Sequence, residues 1–124
     1  MDKSKEFDEH VSGFLNSKKA GETNRILFHL KKLIELDPEN PEHYYNRGVA
    51  HGHLENYELA ISNYTKAIKL NPEDFEAYGN RGVAYDALGE ESKAIADFEK
   101  CLSMNPGFVH GINLNNIRKR NSKE

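Results

Sequence analysis

Apolar residues recur at intervals of three and four along most of this 124-residue chain, which is the spacing of one face of an α-helix. Proline ends several of these stretches, because it lacks a backbone donor and clashes with the preceding turn. No stretch alternates with the period of two that is typical of a half-buried strand, so the chain is predicted to be all-α. The predicted helices cover residues 5–18, 23–35, 41–54, 57–70, 74–88, the stretch after Gly89 up to Met104, and about 108–120.

The middle of the chain repeats itself at an offset of 34 residues. Residues 44–50 (YYNRGVA) match residues 78–84 (YGNRGVA) at every position except the second. Pro38, Pro72 and Pro106 stand at the same offset from one another. A fixed period of this size predicts an array of helix pairs, in which each pair buries its apolar face against the next.

The repeated units resemble the tetratricopeptide repeat (TPR), a motif of two antiparallel helices in about 34 residues. The resemblance rests on aromatic, small and proline residues at matching places: Tyr44, Gly48, Tyr57, Ala60, Tyr64, Ala67 and Pro72 in one unit, and Tyr78, Gly82, Tyr85, Gly89, Ala94, Phe98 and Pro106 in the next. Glu55 stands where the motif has glycine, and His51 where it has an aromatic residue. An earlier unit matches less well, with Ile26 and Leu33 at places that are usually small.

This resemblance implies an α-solenoid, a right-handed superhelix of three helix pairs over about 7–40, 41–74 and 75–108. A capping helix over about 108–120 would cover the last pair, with the basic run at 118–120 on its outer side. The whole chain, 1–124, is expected to be a single domain, although it could be a piece of a longer protein.

Composition narrows the function only slightly. No apolar run is long enough for a membrane helix or a signal peptide, and a single cysteine suits a reducing compartment, so we expect a cytoplasmic protein without a membrane span. Residues 41–74 and 75–108 carry net charges of −2 and −3, which makes nucleic acid an unlikely partner.

The sequence contains no recognisable catalytic, metal-binding or cofactor-binding motif. His51 and His53 are two residues apart and do not share a helix face, and His51 is expected to pack in the core. Cys101 is interpreted as a small buried residue. We therefore expect a chain with no enzymatic activity and no cofactor or metal.

The TPR resemblance implies a concave groove lined by the first helix of each pair. The groove residues that could contact a partner are Glu42, Tyr45, Asn46, Val49, His53, Glu76, Asn80, Val83 and Asp86. Asn46 and Asn80 share one place in the motif, and an amide side chain offers both a donor and an acceptor to a peptide backbone. The alternative is that these two amides simply remain solvated.

TPR co-chaperones that grip a chaperone's C-terminal carboxylate do so with lysine, asparagine and arginine at five places. Here those places hold Val11, Leu15, Asn46, Glu76 and Asn80, so a carboxylate clamp is not predicted. The acidic groove residues instead favour a neutral or basic ligand.

The favoured function is a non-catalytic protein-interaction module, an adaptor, scaffold or chaperone-like domain, that binds a peptide or helical segment of a partner in the groove. The alternative is self-assembly into a homo-oligomer through the array ends, with Phe7, Phe14 and Ile26 as an exposed apolar end. A third, weaker hypothesis is binding of nucleic acid or of an anionic surface by the basic run at 118–123.

Overall fold

The computed structural model describes Glu6, Glu9, His10 and residues 22–108. Five helices are bounded within this part of the chain, and every regular element in it is helical. They are α1 (Thr23–Leu36), α2 (Pro41–His53), α3 (Tyr57–Leu70), α4 (Phe75–Ala87) and α5 (Glu91–Met104). Their ends agree with the sequence-based helices to within one or two residues. Most of the predicted helix 5–18 and nearly all of the capping helix lie outside the described residues.

The helices pack in the order in which they occur along the chain. The most extensive contacts join α2 with α3 and α4 with α5, while α1 packs on α2 and α3 packs on α4. The first helices of successive pairs, α2 and α4, also touch. Since the connecting loops are only three or four residues long, neighbouring helices run antiparallel. The fold is an all-α solenoid, as predicted.

Local sequence explains where the first helix of each pair begins. The Asn40 side chain accepts a hydrogen bond of 3.0 Å from the backbone N–H of Glu42, and Pro41 occupies the first helical position. Asp74 caps α4 in a similar way, accepting a bond of 3.1 Å from the Ala77 N–H. These caps satisfy backbone donors that the helix itself leaves unpaired.

A left-handed residue follows the end of both α2 and α4. Gly89 has a φ of 78°, and Glu55 at the matching place has a φ of 60°. In each turn the next N–H returns to the last helical turn: Asn56 N–H to the His51 carbonyl and Glu90 N–H to the Tyr85 carbonyl, both at 2.9 Å. Glycine adopts this conformation without steric cost, whereas glutamate does not.

The core between paired helices depends on glycine opposite an aromatic ring. A Cβ placed on Gly48 would lie 2.6 Å from Tyr64 Cε1, and a Cβ on Gly82 would collide with Phe98 in the same way. Ala60 and Ala94 are fully buried nearby. The small residues predicted from the repeat therefore allow close helix crossing.

Beside this core, an arginine side chain of the first helix contacts the second helix, both in the α2–α3 pair and in the α4–α5 pair. Arg81 forms two hydrogen bonds of 2.8 Å to the carboxylate of buried Asp97, and it reaches Thr65 Oγ1 of the preceding pair at 3.2 Å. At the equivalent place in the preceding pair, Arg47 Nε donates a hydrogen bond to Asn63 Oδ1. One pair thus has a buried ion pair where the other has a charged hydrogen bond.

The predicted apolar end needs one correction. Ile26 is buried against Leu30, Leu33 and Ala50, because α1 packs directly on α2, so it is not an exposed end residue. Phe28 is exposed instead, at 54% of its surface. Phe7 and Phe14 lie outside the described residues.

Candidate functional site

All nine predicted groove residues lie on α2 and α4, and none of them is buried. Glu42, His53, Glu76 and Val83 are exposed, and Tyr45, Asn46, Val49, Asn80 and Asp86 are partly exposed. Their three- and four-residue spacing places those of each helix on one face, and α2 contacts α4 directly. We call this surface the α2/α4 face.

A hydrogen bond joins the two helices across this face. Asn80 Nδ2 donates to the Tyr45 hydroxyl at 2.9 Å, which links one repeat to the next. The Tyr45 ring also packs near Tyr64, with ring centroids 5.9 Å apart. Burial raises the pKa of Tyr45 to about 12, and the charge of Glu76 and a hydrogen bond to it add to this effect. The phenol is therefore a fixed neutral group at physiological pH.

The two asparagines, which the sequence treats as equivalent, have different surroundings. Asn80 is held by Tyr45, whereas the Asn46 amide makes no hydrogen bond to another residue of the described part of the chain. Tyr45 stands 35 residues before Asn80, and the residue 35 positions before Asn46 is Val11, which has no hydroxyl. Within the described residues, the donor and the acceptor of the Asn46 amide are therefore both unused.

An open cleft of about 700 Å³ lies at one end of the α2/α4 face, between the first turns of the two helices. Glu42, Tyr45 and Asn46 form one side, and Asp74, Phe75 and Glu76 are among the residues of the other. Burial raises the pKa of Asp74, hydrogen bonds from the Ala77 and Glu76 N–H groups lower it in part, and the charges of Glu76 and Glu42 raise it. The cleft is therefore acidic with aromatic walls.

Two valines lie further along the face. Val83 is 41% exposed and Val49 is partly exposed, so both offer apolar contact. His53 lies exposed in the last turn of α2.

Two further titratable side chains among the described residues, His51 and Cys101, have shifted pKa values. His51 is partly buried, and burial, followed by the charge of Arg47, lowers its pKa. Cys101 is only 2% exposed and burial raises its pKa, which agrees with its predicted role as a buried residue. No cluster of three potential metal ligands occurs in the part of the chain that the structure describes.

Sequence reasoning missed one pair of histidines. His10 Nδ1 and His29 Nδ1 lie 3.2 Å apart, although the residues are far apart in sequence. Burial lowers the pKa of His29, as do the charges of His10 and Arg25. No helical period connects two residues on different helices, so the sequence carried no signal for this contact.

Comparison with known sequences identifies the family. The sequence model of the tetratricopeptide repeat matches residues 41–74 and 75–108, more than half of the chain. The chain belongs to the TPR family. No curated protein sequence matches it significantly.

Several solved structures superimpose on nearly the whole chain, among them TPR domains. The first TPR of Spaghetti (RPAP3), bound to the HSP90 peptide SRMEEVD, is 27% identical with a TM-score of 0.88, covering 96% of this chain and 95% of that one. The second TPR domain of human RPAP3, in complex with the HSP70 peptide SGPTIEEVD, is 26% identical with a TM-score of 0.84, covering 94% and 98%. MamA is 29% identical with a TM-score of 0.87, covering 94% and 68%.

No helix in the described residues has the length and apolar content needed to cross a membrane.

Proposed function

We propose that this chain is a non-catalytic protein-interaction module, an adaptor or scaffold of the cytoplasm, that holds an extended segment of a partner on the α2/α4 face. The observation that carries the proposal is the Asn46 amide, which is partly exposed and unpaired within the described residues, beside the fixed Tyr45–Asn80 pair. Membership of the TPR family, and the peptide-bound TPR domains among its structural neighbours, support it.

The arrangement suits recognition of a backbone rather than of one side chain. The Asn46 amide can donate to and accept from a single peptide unit. Asn80 has its position fixed by Tyr45, and its carbonyl oxygen remains available to accept. Holding the amide in place before binding reduces the ordering cost when a peptide arrives. Val49 and Val83 supply apolar contact further along the face.

We propose further that the module does not use a carboxylate clamp. Glu76 occupies a place where a clamp requires lysine, and it is exposed on the face, so it would repel a terminal carboxylate. The HSP90 peptide of the Spaghetti complex ends in Glu-Glu-Val-Asp. We expect this chain to bind that peptide weakly or not at all.

The test begins with selection of peptides from a displayed random library on the wild-type domain. Each selected peptide is then titrated against the Asn46→Ala/Asn80→Ala variant and against Asn56→Ala, an exposed asparagine outside the face whose side chain makes no capping bond. We expect the double variant to lose about ten-fold in affinity, from two hydrogen bonds of about 0.5–1.5 kcal/mol each, and Asn56→Ala to bind as wild type. Equal affinities for all three proteins would reject the α2/α4 face as the binding site.

Self-assembly is the alternative function, and exposed Phe28 is the observation that favours it. If Phe28 forms part of a contact between copies, the wild-type domain will sediment as an oligomer at about 100 μM, and Phe28→Asp will sediment as a monomer. A monomeric wild type at that concentration removes this alternative.

A further inference from the structure

The cleft at the start of α2 and α4 has a one-sided charge. Its lining includes four carboxylates, those of Glu42, Glu73, Asp74 and Glu76, and no lysine or arginine. None of these carboxylates forms an ion pair with a basic residue in the described part of the chain. Two aromatic rings, those of Tyr45 and Phe75, lie among them. The Phe75 ring packs edge-to-face against the Phe108 ring, with ring centroids 5.0 Å apart, and this contact holds one wall of the cleft in place.

These carboxylates act on one another across the boundary between the two repeats. Glu42 belongs to α2 and Glu76 to α4, and the charges of both act to raise the pKa of Asp74, which burial raises most and which the backbone N–H groups of Ala77 and Glu76 lower in part. The mutual repulsion is a free-energy cost that a positive charge in the cleft would relieve.

Helix capping explains only part of the pattern. Acids in the first helical turn stabilise the positive end of the helix dipole, and Glu42 and Glu76 occupy such positions. Glu58 and Glu91 occupy the first turns of α3 and α5, but they do not line the cleft. The gathering of acids around a cavity with aromatic walls is therefore particular to α2 and α4.

We propose that this cleft receives a lysine or arginine side chain of the partner segment, a proposal that rests on the function proposed above. The cationic head lies between Glu42 and Glu76, and its aliphatic stem lies along the rings of Tyr45 and Phe75. The neighbouring Asn46 amide binds the backbone of the same segment. The partner is thus a protein with an extended basic segment.

Three labelled heptapeptides of equal length test the charge preference. They are the acidic SRMEEVD itself, a neutral SQMQQVN-amide that has no charged side chain, and a basic SRMKKVK-amide, each titrated by fluorescence anisotropy at about 50 mM salt. We expect the basic peptide to bind at least ten-fold more tightly than the acidic one. Amide shifts in a ¹⁵N spectrum should fall on residues 42–46 and 73–76.

Paired variants separate the cleft from the overall charge of the protein. Glu42→Gln/Glu76→Gln removes two charges from the cleft, and Glu58→Gln/Glu99→Gln removes two exposed charges elsewhere. We expect the first to weaken the basic peptide about five-fold, and the control to change it less than about two-fold. Helicity measured by circular dichroism should be unchanged in both variants.

Three results would overturn this inference, and they differ in what they mean for the proposed function. Equal weakening by both variants would show that net charge, not the cleft, attracts the peptide, and it would overturn the inference. A neutral peptide that binds as tightly as the basic one, and that is lost in Asn46→Ala/Asn80→Ala, would also overturn it while supporting the proposed function. No binding of the basic peptide up to about 1 mM would overturn it as well, and the library selection would then decide the proposed function independently.

Discussion

The Tyr45 hydroxyl accepts a hydrogen bond of 2.9 Å from Asn80 Nδ2, and this bond joins the first helices of two successive repeats. It lies on the face proposed to bind a partner, so it couples the spacing of the repeats to the shape of that face. In the sequence, the places that match Tyr45 in the units before and after it hold Val11 and Gly79, which have no hydroxyl.

The strength of this bond can be measured with a double-mutant cycle. Tyr45→Phe and Asn80→Ala each remove one partner, and we expect a coupling energy of about 0.5–1.5 kcal/mol from urea unfolding of the two single variants and the double variant. Tyr64→Phe combined with Asn80→Ala is the matched control, since the Tyr64 hydroxyl does not bond Asn80. A coupling energy of zero for the Tyr45 cycle would show that the bond contributes nothing to docking of the repeats.

Glu55→Gly is expected to stabilise the protein. Glu55 holds a φ of 60°, which costs a non-glycine residue about 1 kcal/mol, and Gly89 meets the same requirement one repeat later without that cost. We expect the free energy of unfolding to rise by about 0.5–1 kcal/mol, measured by urea denaturation. Gly89→Glu is the reverse control and should destabilise by a similar amount. An unchanged or lower stability of Glu55→Gly would contradict the argument.

Two glycines of α2 should respond in opposite ways to alanine. A Cβ at Gly48 would lie 2.6 Å from the Tyr64 ring, so Gly48→Ala is expected to destabilise by about 1–3 kcal/mol through overpacking. At Gly52 the nearest atom is the Tyr64 hydroxyl at 4.0 Å, so Gly52→Ala has room. It should stabilise by up to about 1 kcal/mol, because alanine favours the helix. Thermal unfolding of both variants would show which of them is more stable than wild type, and equal effects of the two substitutions would refute the packing explanation.

Stability should fall on mild acidification, partly through His51. Its pKa in the folded protein is lowered by burial and by Arg47, so near pH 6 the folded state binds fewer protons than the unfolded chain. The stabilisation is present above the ordinary histidine pKa of about 6.5 and is lost as the pH falls below it. We expect His51→Tyr, which copies Tyr85 of the next repeat, to lose less stability than wild type between about pH 7.5 and 5.5. His53→Tyr, at an exposed site, is the control. Parallel pH profiles for wild type and His51→Tyr would exclude this role.

Much of the fold could be predicted because the same residue types recur at matching places in two successive helix pairs. Helix ends follow from Pro41, Pro72 and the capping residues Asn40 and Asp74, which act within a few residues of themselves. The glycine and aromatic pairs, Gly48 with Tyr64 and Gly82 with Phe98, recur at the same offset, so their contact could be expected from the motif. The buried position of Ile26 could not be read in this way, because its unit departs from the repeat and its burial depends on how α1 docks on α2.

The sequence by itself determined the class of fold and the positions of the described helices, and it predicted which residues of α2 and α4 share a face. These depend on local periodicity, capping and a repeat that fixes which residues are equivalent. Only the tertiary structure distinguished Asn46 from Asn80, placed four carboxylates around one cleft, and brought His10 against His29. Those relations involve residues from separate segments of the chain, and their distances are set by how whole helices pack, which no single stretch of sequence specifies.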